Sequence, residues 1–448
     1  MMNRILSRSN SVPDGHYAWL VAALLSMSYA VAFVDRQVLN LLVEPIKLDL
    51  GLTDIQISLL QGLAFVGAYV AMGPVFGWLA DRGNRRNLLI AGIGIWCIST
   101  ALCGFADSFW SLFVARAGIG AAEACLLPAG WSLLADYFSR EKLPRAMSIF
   151  LLGPFIGGGL ALIFGGLIVR GVAGMDFGGP LSGLPPWGLT FVFVGIPGLV
   201  LAASLFAVRE PPRTGSTQIE DRSFSISEVL AFLWHERSFY GRFFGGMMLL
   251  VMPLYALPAW TPAFLMRAHG ATAGTVGVQY GIATLIAGSL GVLFGPWIAQ
   301  RLKTRFPIDA PLRTALVAAC GAAPCCLFLP FAPTYWSALV ASAIGSFFVN
   351  FSLPMAASAL QASTPNRMRG LVTSAYAFVL TSAGLGLAPT FIAFVTDQLL
   401  NDTARVGTSL GWVTGFSALL ALPLLVGASR RYAAHLGANG ASPAGLTA

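Results

Sequence analysis

Residues 77–86 read GWLADRGNRR, an arginine-rich polar turn between two long apolar runs. The turn GPWIAQRLKTR at 295–305 repeats it at an offset of 219 residues. The matched residues are Trp78, Ala80, Arg82 and Arg86 in the first turn and Trp297, Ala299, Arg301 and Arg305 in the second. Two later loops repeat as well, with Arg145 and Arg369 lying 224 residues apart. Two loops that recur at nearly one offset predict a chain of two homologous halves.

The composition predicts a membrane protein. Of the 448 residues, 56% are hydrophobic and only 10% are charged, whereas a soluble protein has roughly a quarter of its residues charged. A helix needs about 20 apolar residues to cross the hydrocarbon layer, and twelve such runs are continuous rather than alternating, which excludes a β-barrel. We therefore predict an all-α integral membrane protein of twelve helices in two six-helix bundles. The predicted spans are 17–43, 55–79, 88–106, 109–133, 147–169, 187–208, 243–266, 275–299, 314–332, 336–360, 371–396 and 410–428.

The distribution of Lys and Arg predicts the orientation. Most of the 27 lie in loops that become cytoplasmic if the N-terminus is inside, so we expect both termini to be cytoplasmic. This topology accounts for the net charge of +8 without nucleic-acid binding. The first residues lack the pattern of a signal peptide, and we expect them to form a mature tail. The predicted domains are an N-terminal tail (1–16), a six-helix bundle (17–208), a linker with a short amphipathic helix (209–242), a second bundle (243–430) and a C-terminal tail (431–448).

Four ionisable residues interrupt the apolar spans: Asp35 and Arg36 in the first, Arg116 and Glu123 in the fourth. Each costs about 3 kcal/mol at mid-membrane, so we expect each to face a cavity or a partner. The helical rise places Asp35 and Arg116 at one depth, with Glu123 two turns deeper than Arg116 on the same face. We interpret Glu123 and Asp35 as proton-coupling residues, and Arg36 and Arg116 as counter-ions or headgroup ligands. A permanent salt-bridge network between the two spans is the alternative.

The spans of the second half carry no charge in their interiors and supply aromatic and amide side chains instead. The candidate substrate-binding residues there are Tyr255, Trp260, Tyr280 and Asn350. A cavity charged on one wall and apolar on the other suits an amphiphile with an ionic head. Packing or an interfacial belt is the alternative for the aromatic residues.

The turn at 77–86 resembles the signature loop of the major facilitator superfamily. The stretches DRQVLNLLVEPIKLDLGLTDIQISLLQGLAF (35–65) and RAGIGAAEACLLPA (116–129) resemble its Spinster branch, in the bacterial form. In the repeated loops, the candidate gating residues are Asp81, Arg82, Arg86, Arg145 and Arg369. The second copy has Gln300 where the first has Asp81. We therefore expect Asp81 alone to latch the halves, by binding the positive end of the eleventh span's helix, with loop capping as the alternative.

The resemblance implies a secondary transporter of lysophospholipid or sphingosine-1-phosphate-like amphiphiles, driven by a proton gradient and using alternating access. Small organic acids or drugs are the alternative cargo. We expect no cofactor and no metal, a bacterial inner-membrane location, the lipid bilayer as partner, no nucleic acid and a monomer. An intramembrane enzyme is disfavoured because all four histidines lie in tails or loops. A non-transporting receptor or scaffold is a further alternative.

Overall fold

The computed structural model describes residues 15–139, 142–172, 175, 177–212, 226–365 and 368–438. Within these residues, twelve helical spans are long and apolar enough to cross a membrane, which confirms the predicted number. The helices are α1 (His16–Leu41), α2 (Val43–Leu50), α3 (Asp54–Gln61), α4 (Leu63–Arg82), α5 (Arg85–Cys103), α6 (Phe109–Glu123), α7 (Leu126–Tyr137), α8 (Leu143–Val172), α9 (Pro186–Leu205), α10 (Ile226–His235), α11 (Arg237–His269), α12 (Ala273–Lys303), α13 (Ala310–Phe328), α14 (Tyr335–Asn350), α15 (Ser352–Ser363), α16 (Arg369–Thr381), α17 (Ala388–Phe394) and α18 (Val406–Ala438).

Several spans consist of more than one helix. The second span joins α3 and α4, the fourth joins α6 and α7, and the tenth joins α14 and α15. The eleventh joins α16 and α17 and contains π-helical turns at Ser382–Leu387 and Val395–Leu399. A π turn bonds residue i to residue i+5 and occurs frequently at functional sites.

The helices extend past the predicted ends of several spans. The seventh span begins at Arg237 rather than at 243, and the twelfth covers Thr403–Tyr432 rather than 410–428. Polar residues at these ends continue the helix beyond the apolar run that the sequence marks, because helix length is not limited to the hydrocarbon thickness.

The chain forms two compact units, and the first contains Met1–Asp35, Gly67–Ala161 and Asp176–Glu220. In this unit α8 packs closely on α1. A Cβ at Gly153 would lie 3.1 Å from Tyr29 Cβ, and one at Gly157 would overlap the backbone of Ala30. Glycine at these two positions therefore permits the helices to touch.

The second unit contains Arg36–Val66, Leu162–Met175 and Asp221–Ala448. It thus includes the ends of the first, second and fifth spans that the predicted topology places outside. The end of α8 packs on α12: Arg170 donates to Thr275 Oγ1 (2.7 Å), and a Cβ at Gly166 would lie 3.0 Å from Gly277 Cα. The short helix α10 buries Val229 in the core of this unit.

Candidate functional site

Three of the predicted ionisable residues are buried together in the first unit. Asp35 and Glu123 are 2% exposed and Arg116 is 0% exposed. Arg116 donates through its Nη1 to the main-chain oxygen of Asp35 (3.4 Å), which places these two residues side by side. Charged groups so deeply buried require partners, since an isolated charge in a medium of low polarity is costly.

Glu123 is the last residue of α6, where the fourth span is interrupted. The next helix, α7, begins at Leu126. Across the interruption, a Cβ at Gly92 of α5 would lie 3.2 Å from the carbonyl oxygen of Ala122 and would also meet the sulphur of Cys125. The glycine therefore lets α5 approach the interruption that follows Glu123.

Arg36, the fourth predicted residue, belongs to the second unit. Its guanidinium lies 4.3 Å from the centroid of the Phe65 ring, and its side chain is partly exposed. A cation over an aromatic face is stabilised by the ring quadrupole, by about 0.5–2 kcal/mol.

Three of the predicted substrate-binding side chains are buried in helix packing. Trp260 is fully buried and donates to the carbonyl oxygen of Pro389 (3.0 Å). Tyr280 is also fully buried. Asn350 donates to Ser346 of its own helix (2.7 Å), and a Cβ at Gly291 would lie 2.9 Å from its Cβ. The contacts of these three residues are those of structural residues, and their role in binding stays a prediction.

Tyr255 is the exception among the four, since its side chain is partly exposed. Its ring lies against Gly384, where a Cβ would overlap it. Gly384 in the eleventh span therefore leaves space for the Tyr255 ring. Of the predicted aromatic ligands Tyr255, Trp260 and Tyr280, Tyr255 has solvent-accessible surface, whereas the other two are fully buried.

The predicted gating residues of the first repeated turn lie at the ends of α4 and α5. Asp81 and Arg82 are exposed, and Arg82 lies 4.6 Å from the Trp78 ring centroid. Within the described residues Asp81 makes no ion pair. Arg86 is half-buried: its main-chain N–H donates to Glu210 Oε2 (3.0 Å), and its guanidinium donates to the carbonyl oxygen of Val208 (3.2 Å).

The two remaining gating residues differ in their contacts. Arg145 is exposed at the start of α8. Arg369 is partly exposed and donates to the carbonyl oxygen of Thr364 (3.1 Å), at the end of α15. An arginine that binds a helix's last carbonyl groups stabilises that end of the helix. Arg369 therefore ties the loop to the tenth span, while its gating role stays a prediction.

A buried arginine next to the first repeated turn was not predicted from the sequence. Arg85 is 1% exposed and forms ion pairs with Asp136 and with Glu210 (2.7 Å). It also donates to Ser132 Oγ (2.9 Å) and to the carbonyl oxygen of Pro211 (3.1 Å). Through these contacts, Arg85 on α5 connects α7 to the segment that follows the sixth span.

A second group of charged residues was also not predicted from the sequence. We call it the outer cluster, and it consists of Glu44, Lys47, Asp54 and Arg267. Arg267 binds both oxygens of Asp54 in a bidentate pair (2.6 and 2.7 Å) and Glu44 Oε1 (2.6 Å). Lys47 binds Asp54 Oδ1 (2.6 Å), and Asp54 is completely buried. The cluster joins α2 and α3 to the end of α11 at the predicted outer side of the second unit, and we call this junction the outer closure.

A neutral network lies further along the same helices. The amide group of Gln61 donates to Asn40 Oδ1 (3.0 Å) and to the carbonyl oxygen of Ala259 (3.0 Å). Asn40 in turn donates to Gln37 Oε1 (3.1 Å). These bonds join the first, second and seventh spans below the outer cluster.

The available signal for the outer cluster was opposite charge at the ends of different spans. In the predicted topology Lys47 and Arg267 lie in outer loops, and the local sequence does not indicate which acidic residues they bind. The partners are separated by as many as 223 residues in sequence, so helix spacing does not connect them.

The described residues contain no group of three or more His, Cys, Asp or Glu side chains arranged to hold a metal ion. The twelve membrane spans define a multi-pass helical membrane protein. The sequence profile of the Major Facilitator Superfamily matches residues 25–389. The chain belongs to this superfamily.

Comparison with relatives confirms the resemblance to the Spinster branch. Protein spinster homolog 1 of Xenopus tropicalis is 28% identical over 390 residues, which are 83% of this chain and 72% of the relative. An MFS-type efflux pump of Mycolicibacterium smegmatis is 28% identical over 293 residues, 65% of this chain and 64% of the relative. The human Spinster homolog 1 is 29% identical over 73% of this chain. The chain thus matches less than two thirds of several relatives, including 62% of the human protein.

Among solved structures, a bacterial homologue of the human lysosomal transporter Spinster, in an inward-facing and unoccupied conformation, has a TM-score of 0.74. It is 23% identical, and the alignment covers 95% of this chain and 98% of that structure. The D-xylose-proton symporter has a TM-score of 0.66 at 16% identity, over 90% of this chain and 97% of that structure. These likenesses show the fold.

Proposed function

We propose that the protein is a proton-coupled secondary transporter that moves an amphiphilic anionic lipid by alternating access. The observation that carries the proposal is the burial of Asp35, Arg116 and Glu123 in the first unit. Arg116 and Glu123 lie in the interrupted fourth span, and Arg116 donates to the main-chain oxygen of Asp35 in the first span. Carboxylates next to an arginine change their proton affinity when the arginine moves or when an anion arrives. Proton binding can therefore follow conformation.

The cargo class is proposed from charge and from the relatives. In the second unit, Arg36 offers planar donors that suit a phosphate, and Tyr255 offers an accessible aromatic surface. The relatives named Spinster include the homologue of a human lysosomal transporter. A lysophospholipid or a sphingosine-1-phosphate-like molecule has both the anionic head and the apolar tail that these groups would bind.

A drug or a small organic acid is the second candidate cargo. The observation that favours it is the M. smegmatis efflux pump, which matches this chain as well as the Spinster homologues do in identity. Such a cargo would use the same proton-coupling residues, so the two candidates differ only in substrate.

The accompanying proposals are a bacterial inner-membrane location with both termini cytoplasmic, a monomer, no cofactor and no enzymatic activity. The domain boundaries at 17–208 and 243–430 belong to the same proposal, because each half is expected to move as one bundle during the cycle.

Flux in proteoliposomes tests the function. The purified chain is reconstituted, and uptake of a labelled lysophospholipid is measured with an imposed pH gradient, without it, and with the gradient collapsed by an uncoupler. We expect uptake that falls to the level of protein-free vesicles when the gradient is absent. A panel of organic acids and drugs in the same vesicles identifies the second candidate. Uptake that ignores the gradient for every solute contradicts proton coupling, and a lack of any flux favours a non-transporting scaffold.

A further inference from the structure

Asp397 contacts the beginning of the second span and is not a member of the outer cluster. Its Oδ2 accepts the main-chain N–H of Ile55 (3.1 Å). Ile55 is the second residue of α3, so this N–H is one of the donors that a helix leaves without an intrahelical acceptor. The neighbouring donor, on Gln56, binds Thr53 Oγ1 within a capping box. The cap of α3 is therefore completed by a carboxylate 342 residues away in sequence.

A second contact joins the same two spans. Gly62 ends α3, and a Cβ there would lie 2.5 Å from the carbonyl oxygen of Leu385 and 2.9 Å from that of Gly386. Any larger side chain at Gly62 would collide with main-chain atoms, which do not move aside. Ile55 and Gly62 are seven residues apart, so they lie on one face of the second span.

Both contacts on the eleventh span come from its π turns. Leu385 and Gly386 belong to the turn Ser382–Leu387, and Asp397 belongs to the turn Val395–Leu399. A π turn contains one more residue than an α turn, and each residue of an α-helix turns by about 100°. The extra residue of the turn Ser382–Leu387 therefore rotates the following residues, including Asp397, by about 100° relative to the preceding part of the span. The local geometry of the eleventh span is thus matched to its two contacts with the second.

We propose that Asp397 is a positioning residue of the outer closure: it caps α3 from the eleventh span and holds the second span in the outer-closed state, separately from Arg267. The charged groups near its carboxylate are Asp54, Lys47 and Arg267. A carboxylate on a main-chain N–H is a charge-assisted hydrogen bond, about twice as strong as a neutral one. The proposal rests on alternating access and requires neither a lipid cargo nor protons.

Distances between spin labels test the proposal without any cargo. Cysteines introduced at Leu48 and Phe331, which are 81% and 72% exposed, carry the labels in lipid nanodiscs. The accessible native cysteines Cys320 and Cys325 are replaced by serine, while the four other cysteines are buried. In the parent protein we expect one dominant short distance, which represents the closed outer side.

Asp397→Asn keeps the shape of the side chain and removes its charge. We expect the ratio of long to short distances to rise roughly tenfold, as the loss of a hydrogen bond to a charged group predicts. The matched control is Asp402→Asn, an acid five residues further on that caps Ala404 instead (2.9 Å), and we expect it to leave the ratio unchanged. Equal ratios in Asp397→Asn and Asp402→Asn would overturn the proposal.

Two further variants separate positioning from folding and from the arginine pair. Gly62→Ala should raise the long-distance ratio as well, whereas Gly67→Ala, where a Cβ meets nothing within 4 Å, should not. Combining Asp397→Asn with Arg267→Ala should give the sum of the two single effects in free energy. A double variant identical to Arg267→Ala would show that Asp397 acts only through the outer cluster, and that result also overturns the proposal.

Discussion

The fourth and tenth spans begin with the same cap and are interrupted at the same place. Ser108 and Ser111 form the capping box of α6, and Thr334 and Ser337 form that of α14. In both pairs the offset is 226 residues. Helix α6 has 15 residues and α14 has 16, and each is followed by a helix of 12 residues. The two spans thus preserve one backbone plan.

The two spans differ in what this plan carries. At the same offset, Arg116 corresponds to Ser342 and Glu123 to Val349, and the last residue of α14 is Asn350, one residue further on. The side-chain amide of Asn350 donates to Ser346 in its own helix, whereas the guanidinium of Arg116 donates to the main-chain oxygen of Asp35 on another span. Both halves therefore share the interruption as a feature of the fold, whereas the charged residues Arg116 and Glu123 occur only in the first half.

The largest expected effect is that of neutralising the charge at the first interruption. Glu123→Gln should reduce pH-driven uptake to the level of protein-free vesicles, because the amide cannot bind and release a proton. Asn350→Ala, at the matching interruption, should retain the dependence on the pH gradient even if its rate changes. Proteoliposome flux with and without the gradient measures both. Intact gradient dependence in Glu123→Gln would remove the proposed functional difference between the two spans.

The next largest effect concerns stability. Arg116→Met removes a fully buried cation together with its hydrogen bond to the main-chain oxygen of Asp35, and the loss of a hydrogen bond to a charged group typically costs about 1.5–3 kcal/mol. Arg36→Met removes a partly exposed cation from the Phe65 ring and should cost about 0.5–2 kcal/mol. Thermal unfolding in one detergent compares the two variants. A smaller loss of thermal stability for Arg116→Met than for Arg36→Met would show that the buried contact of Arg116 contributes little to stability.

The sequence predicted the twelve spans because apolar length is a local property, and it predicted the neighbourhood of Asp35 and Arg116 because helical rise fixes depth. It did not predict the interruption after Glu123, although the sequence carries a signal for it. Pro128 in the fourth span and Pro354 in the tenth lie 226 residues apart, and each lacks the N–H that would bond back across the interruption. It also did not predict the pairing of Arg267 with Asp54, because the choice among acidic partners depends on tertiary packing.

A moderate effect is expected where the two repeated turns differ in charge. Asp81→Asn should change the ratio of the two conformations by up to about fivefold, since a carboxylate near a helix N-terminus contributes about 0.3–1 kcal/mol. Labels at Phe206 and Trp234, which are both exposed, report the predicted cytoplasmic side. Gln300→Asn is the matched control in the second turn and should leave the distances unchanged. If Asp81→Asn behaves as this control does, Asp81 is an ordinary loop residue.

The smallest effect is expected where the two turns agree. Arg82 lies 4.6 Å from the Trp78 ring centroid, and Arg301 lies 4.6 Å from that of Trp297. Trp78 is 54% exposed and Trp297 is 49% exposed, so each pair should contribute about 0.5–1 kcal/mol. Double-mutant cycles with alanine at each tryptophan and its arginine, followed by thermal unfolding, should give equal coupling in the two halves. The two turns share the aromatic contact and differ at Asp81 and Gln300. Unequal coupling would therefore mean that the acid also affects its neighbouring arginine, and the difference between the halves would then begin at the turn itself.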